Sequence, residues 1–237
     1  MNRTENYLKW ISNRNRKVAL SRWRNIENRI TSGIKAKEKY EEYKLLKAKI
    51  LGFLAGDGHV SIRKERKSLH HEIEFYPDRE NLAHQFTAAF NALYGQMPAI
   101  KIRKNFFAVR IASKAACKDL LTTAKFGVLN WRVPFSYLRS PKQQTEWLRA
   151  YYDCEAYVDK TKIVPQPVNK EGLLEVQKLL KRFNVESRIY EYKRKNKNWN
   201  TNYLLFIQKK KSRKVFLNKI GFNHPVKLEK LRLSLAD

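Results

Sequence analysis

Two apolar segments of this chain have the same length and end in the same way. Ile50–Gly58 reads ILGFLAGDG and Leu148–Ala156 reads LRAYYDCEA. In both, small residues stand four positions apart and therefore share one helix face: Gly52 and Gly56, Ala150 and Cys154. Small residues at this spacing let two helix backbones approach closely. The sequence therefore predicts two helices that pack against each other and end side by side.

Each segment carries an acid at its end. Asp57 and Glu155 lie 98 residues apart, and helices that meet would bring the two carboxylates together. Paired carboxylates form an oxygen site that suits Mg²⁺ or Mn²⁺. An acid can also simply end a buried helix, and a single copy would favour that interpretation. Two copies in register favour a metal site held by Asp57 and Glu155.

The elements that follow each segment also recur. Alternating apolar and polar residues predict strands around 60–63, 72–75, 100–102 and 107–111, and again near 157–164, 186–194 and 202–209. Helical spacing predicts helices near 82–93, 114–124, 141–155, 169–183 and 212–220, with Asp78 and Asn169 as N-caps. Each half therefore reads helix, two strands, helix, two strands, helix. This order predicts an α+β fold of two pseudo-symmetric αββαββα repeats, over residues 44–130 and 131–237.

Residues 1–43 precede the first repeat. Apolar residues recur there at steps of three and four, with a basic reverse side: Leu20, Trp23, Ile26, Ile30 and Ile34. This stripe predicts a basic helical N-terminal extension. The helix could pack on the main body, touch phosphates, or do both.

The charge of the chain points to a polyanionic partner. Its 237 residues include 50 Lys and Arg against 22 Asp and Glu, a formal net charge of +28. Cations beside phosphates release condensed counterions, which drives binding to nucleic acid. No run of about 18 apolar residues is present, so we expect no membrane-spanning helix and no membrane partner. Cys117 and Cys154 form neither a disulfide framework nor a zinc motif, and the N-terminus has no apolar signal core. We therefore expect an intracellular, reducing location, in the cytoplasm or an organelle matrix, and no secretion.

The strands carry cations in alternation with apolar residues. Lys101 and Arg103 alternate with Ile100 and Ile102, and Arg110 alternates with Val109 and Ile111. Period two predicts cations on one sheet face and apolar residues against the helices. Glu72 and Glu74 would share the cationic face, and either accept hydrogen bonds from cytosine or position arginines. The predicted nucleic-acid contacts are Arg63, Arg66, Lys67, Lys101, Arg103, Arg110, Arg188, Lys193, Arg194, Lys195, Lys197, Trp199, Lys209, Lys210 and Lys211.

Both nine-residue segments resemble the signature of the two-repeat, single-chain LAGLIDADG homing endonucleases. Val133-Pro134 before the second segment and the closing stretch 220–227, IGFNHPVK, resemble the same family. The resemblance covers about residues 44–231. It implies two antiparallel sheets that form a saddle over DNA, with the two signature helices as the joint between the halves. It also implies that Asp57 and Glu155 bind divalent ions, with carbonyl groups of Gly58 and Ala156 adding to the metal shell.

The implied activity is site-specific cleavage of both strands of a long double-stranded DNA site by a metal-dependent endonuclease that acts as a monomer. The second segment departs from the family pattern at Ala150 and Ala156, where glycine is usual. These departures, and the basic extension, leave two alternatives. One is an RNA-binding maturase that acts on intron RNA, and the other is a DNA-binding protein that has lost cleavage. The residue that supplies the family's basic group beside the acids is not assigned, although Arg79 and Lys170 are equivalent by repeat.

Overall fold

The computed structural model describes residues 35–65, 68–193 and 200–236. The chain divides into two units, residues 1–43 and 44–237. Within the first unit, residues 35–43 are helical. The predicted apolar stripe from Leu20 to Ile34 lies outside the described residues.

The second unit repeats one order of helices and strands. The first half contains α1 (44–57), β1 (Gly58–Glu65), β2 (Ser68–Phe75), α2 (Glu80–Tyr94), β3 (Ala99–Ile102), β4 (Phe107–Ala112) and α3 (Lys114–Thr123). The second half contains α4 (Pro141–Glu155), β5 (Ala156–Val158), β6 (Ile163–Pro165), α5 (Lys170–Arg182), β7 (Arg188–Tyr192), β8 (Asn202–Phe206), α6 (Lys210–Lys219) and α7 (Pro225–Ala236). The two halves match element by element up to α6.

Each half contains antiparallel strands in the same order. The first sheet runs β1-β2-β4-β3. In the second half, the hairpins β5-β6 and β7-β8 are joined by Ile163 and Ile207, whose backbones exchange hydrogen bonds of 3.1 and 3.0 Å. The strands of the second half therefore follow one another as β5-β6-β8-β7, as two hairpins joined by this single bridge, and we refer to the joined hairpins as the second sheet. The predicted α+β architecture with two pseudo-symmetric halves is confirmed.

Helices α1 and α4 form the centre of the core. The side chains of Ile50 and Phe53 in α1 are completely buried, as are those of Trp147 and Tyr151 in α4. A helix that is apolar on most of its faces must be covered on most of its faces. The two signature segments are apolar because they lie inside the molecule. Within the described ranges, no helix has the length and hydropathy that crossing a membrane requires.

Two helices begin where the sequence predicts, because a side chain caps the first turn of each. Ser140 caps α4 in a reciprocal capping box with Gln143, followed by Pro141 in the first turn. Asn169 caps α5 by accepting a hydrogen bond from the N–H of Gly172, at 3.0 Å. The N-cap prediction for Asp78 is wrong, because Arg79 occupies that position and makes no side-chain cap. The Asp78 carboxylate has a different partner, described below.

Three further features differ from the sequence predictions. The strand expected over 157–164 is a hairpin, turned by Asp159, whose carboxylate accepts hydrogen bonds from the N–H groups of Thr161 and Lys162. Ile102 is 76% exposed, so the alternation that partly buries Ile100 does not extend to the end of β3. Helix α7 was not predicted. Only its Leu231 is fully buried, which makes the apolar stripe of α7 narrow.

Candidate active site

Helices α1 and α4 touch along their small residues. A Cβ added to Gly52 would lie 2.3 Å from the carbonyl oxygen of Trp147 and 2.9 Å from the Cβ of Ala150. A Cβ added to Gly56 would lie 2.5 Å from the Cβ of Cys154. Neither glycine can therefore carry a side chain without moving the partner helix. The close helix contact predicted from the four-residue spacing is confirmed.

This packing brings the two helix-end acids into one place. Asp57 is the last residue of α1 and Glu155 the last of α4, and both are partly buried. Burial and the nearby Asp57 carboxylate raise the pKa of Glu155 to about 8. Burial also raises the pKa of Asp57. Among the described residues, neither carboxylate has an ion-pair partner within 4.0 Å. The two carboxylates therefore lie close together without a cationic side chain to neutralise them.

One basic residue approaches this pair from the closing segment of the chain. The Nζ of Lys227 donates hydrogen bonds to the carbonyl oxygens of Asp153, at 2.5 Å, and Cys154, at 2.9 Å. These carbonyls end α4, where a cation is favoured by the helix dipole. The Lys227 ammonium lowers the pKa values of both Asp57 and Glu155, against the stronger effect of burial. Sequence reasoning did not assign this residue. Its only signal was its place in the closing stretch IGFNHPVK, 72 positions after Glu155.

Asp153 holds the closing segment in position. Its side chain is fully buried, and its Oδ1 accepts hydrogen bonds from the N–H groups of Asn223 and His224, both at 2.9 Å. Its Oδ2 has no hydrogen-bond partner in the described structure, and burial raises the pKa of Asp153 to about 6. These bonds give Asp153 a structural role. The first repeat has Ala55 at the corresponding place and lacks this anchor.

The same segment also reaches the first repeat. The buried His224 places its Nε2 3.3 Å from Oδ2 of Asp78, and this bond lowers the pKa of Asp78. The side-chain amide of Asn81 donates to the carbonyl oxygen of Asn223, at 3.1 Å. Residues 223–227 therefore join α4 of the second repeat to the start of α2 in the first. This junction fixes Lys227 relative to both repeats.

The departures from the family pattern leave the backbone at these positions unstrained. Ala156 has φ −84° and ψ 130°, an extended conformation that any L-residue adopts. This position therefore does not require glycine, although the chain leaves the helix there. Ala150 faces Gly52, which has no side chain, so the extra methyl group is accommodated. Gly58 differs, because a Cβ there would lie 2.4 Å from the Cα of Leu54.

The donor set at the helix ends fits a hard divalent cation. Magnesium is commonly held by one or two carboxylates, with water and substrate phosphate oxygens completing its shell. Asp57 and Glu155 supply two carboxylates, and their raised pKa values are the response expected of crowded acids without a cation. No cluster of three or more His, Cys, Asp or Glu side chains suited to a metal occurs among the described residues. Any remaining ligands would therefore come from backbone carbonyls, water or substrate.

The predicted binding residues of the first half lie on its sheet. Arg63 on β1 contacts Glu72 on β2, and Arg110 on β4 lies 2.9 Å from Glu74 on β2. The two glutamates therefore orient arginines, which was one of the two roles considered for them. Lys101 is on β3 and exposed, Arg103 follows β3, and Arg66 and Lys67 lie outside the described residues.

The predicted binding residues of the second half are split between two places. Arg188 begins β7 and Lys193 follows it. Lys209, Lys210 and Lys211 lie at the start of α6, where Lys209 pairs with Glu186, and so do not belong to a strand. Four remaining residues lie outside the described part of the chain: Arg194, Lys195, Lys197 and Trp199. The described contacts predicted for the second half therefore lie at the end of β7 and at the start of α6.

Comparisons with known proteins agree with this geometry. Residues 142–221, about a third of the chain, match the family described as LAGLIDADG-like domain. A glutamine–fructose-6-phosphate aminotransferase of Methanocaldococcus jannaschii is 26% identical over 193 residues, which are 78% of this chain and 17% of that protein. A replication factor C small subunit of Thermococcus kodakarensis is 29% identical over 192 residues, 77% of this chain and 20% of that protein. The chain thus spans a fifth or less of these two curated relatives.

Solved structures of the homing endonuclease I-DmoI share the fold. I-DmoI in complex with DNA and Ca superposes with a TM-score of 0.63 at 17% identity, covering 81% of this chain and 99% of that one. I-DmoI in complex with DNA and Mn gives a TM-score of 0.60 at 17% identity, covering 75% and 97%. Together with the match over residues 142–221, they confirm the resemblance seen in the sequence: residues 142–221 are similar to the LAGLIDADG-like domain family, and the chain has the fold of the homing endonuclease I-DmoI.

Proposed function

We propose that the chain is a site-specific, metal-dependent DNA endonuclease that cleaves both strands of a long duplex site. The observation that carries this proposal is the meeting of Asp57 and Glu155 at the ends of two packed helices. A structural role does not require two crowded, partly buried carboxylates to lie together without an ion-pair partner. The complexes of I-DmoI with DNA and with Mn or Ca lend support by analogy of fold.

In this proposal Asp57 and Glu155 hold Mg²⁺ or Mn²⁺ beside the scissile phosphates. When bound, a divalent ion supplies a water of lowered pKa and neutralises charge on the leaving oxygen. Lys227 adds a fixed positive charge next to both carboxylates and favours their ionised forms. Asp153 and His224 position Lys227 through the backbone of the closing segment. Both acids belong to one chain, so a monomer suffices for activity.

The two sheets would contact the duplex through their outer faces. A formal net charge of +28 supplies the electrostatic part of the affinity. Exposed cations such as Lys101 and Arg188 would contact phosphates, and orientated side chains such as Arg63 and Arg110 would read base edges. We also propose DNA contacts for the predicted residues that lie outside the described ranges, among them Lys195 and Trp199.

The test is cleavage of duplex DNA that carries the joined sequences flanking the chain's own gene. We expect Mg²⁺-dependent double-strand breaks with the unaltered protein. Asp57→Asn and Glu155→Gln should abolish them while leaving binding in Ca²⁺ intact. Glu171→Gln serves as the control, because this exposed acid lies in the first turn of α5, away from the two helix-end acids, and should leave cleavage unchanged.

Binding without cleavage by the unaltered protein would contradict the nuclease proposal. Tight binding of intron RNA in the same assay would support the maturase alternative, and tight binding of duplex DNA alone would support a protein that binds without cutting. Loss of both binding and cleavage in Asp57→Asn would mean that Asp57 is structural.

A further inference from the structure

The outer faces of the two sheets differ in chemistry although their strand orders match. Strand pairing defines each outer face, because directly opposed residues project to the same side. On the first sheet, core-facing Val60 pairs with Ile73, both buried. The neighbouring pairs His59–Glu74 and Ser61–Glu72 therefore face outward. On the second sheet, core-facing Ile189 pairs with the buried Leu205.

The first outer face is made of hydrogen-bonding groups. Arg63 contacts Glu72, Arg110 lies 2.9 Å from Glu74, and Arg110 also donates to the Tyr76 hydroxyl at 3.5 Å. The arginines are thus held in fixed orientations by carboxylates on the neighbouring strand. Held arginines and carboxylates are the groups that read guanine and cytosine edges in the major groove.

The second outer face is made largely of rings and aliphatic groups, with Arg188 and Asn202 at its two ends. Its exposed side chains include Tyr157, Tyr190 and Tyr192, which are 51%, 47% and 56% exposed. Leu204 pairs with Tyr190 across the strands, and the Phe206 ring packs edge to face against Tyr190 at 5.2 Å. Within the described strands β5 to β8, no carboxylate occupies this face, since Glu191 projects to the other side with Tyr203.

Cations border this apolar face. The Nζ of Lys162 lies 5.5 Å from the centre of the Phe206 ring, and Arg188 is exposed directly opposite Phe206. An apolar face rimmed by cations is complementary to a polyanion with apolar groups at its surface. Duplex DNA has one such group in the major groove, the C5-methyl of thymine. Rings that pack edge to face on each other favour contact with these methyl groups over stacking on unpaired bases.

We propose that the second sheet reads its half of the DNA site through apolar contacts with thymine methyl groups, whereas the first sheet reads the other half through hydrogen bonds. The preferred site is therefore rich in A·T pairs on the side of the second repeat and contains G·C pairs on the side of the first. This inference rests on the proposed binding of duplex DNA but not on cleavage.

The first experiment selects duplexes from a randomised library in Ca²⁺ with the full chain. Thymines should accumulate in one half of the selected sites and guanines in the other. A Leu204→Gln variant should change the preference only in the thymine-rich half, and an Arg110→Gln variant only in the other half. Equal base composition in both halves would overturn the inference. Failure to retain any duplex would overturn the proposed DNA binding as well.

The second experiment changes the DNA and leaves the protein intact. Deoxyuridine replaces thymidine in a selected site, which removes the methyl group and preserves base pairing. Each replacement in the half bound by the second repeat should weaken binding about 4-fold, the value of one buried methyl group. Replacements in the other half serve as the matched control and should have no effect. Unchanged affinity after replacement of every thymine would refute methyl readout even if duplex binding is strong.

Discussion

His224 of the closing segment lies with its Nε2 3.3 Å from the Oδ2 of Asp78, which precedes the second helix of the first repeat. The contact joins a buried ring to a half-exposed carboxylate across 146 residues of sequence. It belongs to the junction that also includes the bonds from Asn223 and His224 to Asp153. The junction determines where Lys227 sits, and so it links the fold to the site.

The Asp78–His224 contact should make the junction sensitive to acid. The bond to His224 lowers the pKa of Asp78, so this carboxylate contributes stability above its unfolded pKa, near 4, and loses it as pH falls through the lower folded value. Asp78→Asn should reduce the free energy of unfolding at pH 7 by only about 0.5–1 kcal/mol, because solvent screens a carboxylate that is about half exposed. Denaturant titrations at pH 7 and pH 3 measure the difference, which should shrink at pH 3. A constant difference would exclude ionisation of Asp78 as the cause.

The ionised Glu155 side chain should lower the free energy of unfolding of the metal-free protein. Its pKa is raised to about 8, so the folded state favours the protonated form, and ionisation between about pH 4.5 and 8 destabilises the fold. Glu155→Gln should therefore increase the free energy of unfolding at pH 9, measured in chelator, by about 3 kcal/mol. Added Mg²⁺ should raise the melting temperature of the unaltered protein and leave that of the variant unchanged. Glu186→Gln, at an exposed ion pair with Lys209, is the control and should show neither effect.

Lys227 should be needed for cleavage more than for binding. Lys227→Met removes the positive charge beside Asp57 and Glu155, and we expect cleavage to slow at least about 100-fold, as for other charge-stabilising groups. Affinity for duplex in Ca²⁺ should change by less than about threefold, on the scale of a single phosphate contact. Lys230→Met, one turn-length further along α7 and exposed, is the matched control. Equal losses in the two variants would point to a general effect of charge.

Gly56 should tolerate a methyl group only if Cys154 becomes smaller. The added Cβ of Gly56→Ala would lie 2.5 Å from the Cβ of Cys154, so we expect a loss of about 1–3 kcal/mol from overpacking. Cys154→Gly should restore part of this loss in the Gly56→Ala background and only destabilise the unaltered protein. A double-mutant cycle measured by chemical denaturation gives the coupling energy. Strict additivity of the two changes would mean that the helices separate instead of clashing.

The N-terminal extension should affect how strongly the affinity for DNA depends on salt concentration. If residues 1–43 contact phosphates, their removal should make log Kd less dependent on log salt concentration, by about one for each lost contact. Fluorescence titrations of duplex DNA between 50 and 200 mM salt would measure the slope. An identical slope would leave the extension with a packing role only.

The sequence was sufficient to predict the features that depend on local pattern. Spacing of Gly52 and Gly56 predicted the helix contact, and duplication predicted the fold of both halves. Asn169 was predicted as a cap because capping chemistry is local. Lys227 and the Asp78–His224 contact could not be predicted in the same way, since they depend on where a distant segment returns. Helix α7 escaped prediction although Leu228, Leu231 and Leu235 recur at helical spacing, because its stripe is narrow.

Ala55 in the first repeat is the equivalent of Asp153 in the second, so the two repeats are not interchangeable. The second repeat holds the closing segment through a buried carboxylate at the end of its signature helix, whereas the first repeat contacts that segment only from the start of α2. A chimera that joins two first repeats would therefore lack both Lys227 and the buried carboxylate that holds its segment. When halves are exchanged between relatives, the hybrid protein should keep its site only if residues 141–155 and 220–227 come from the same parent.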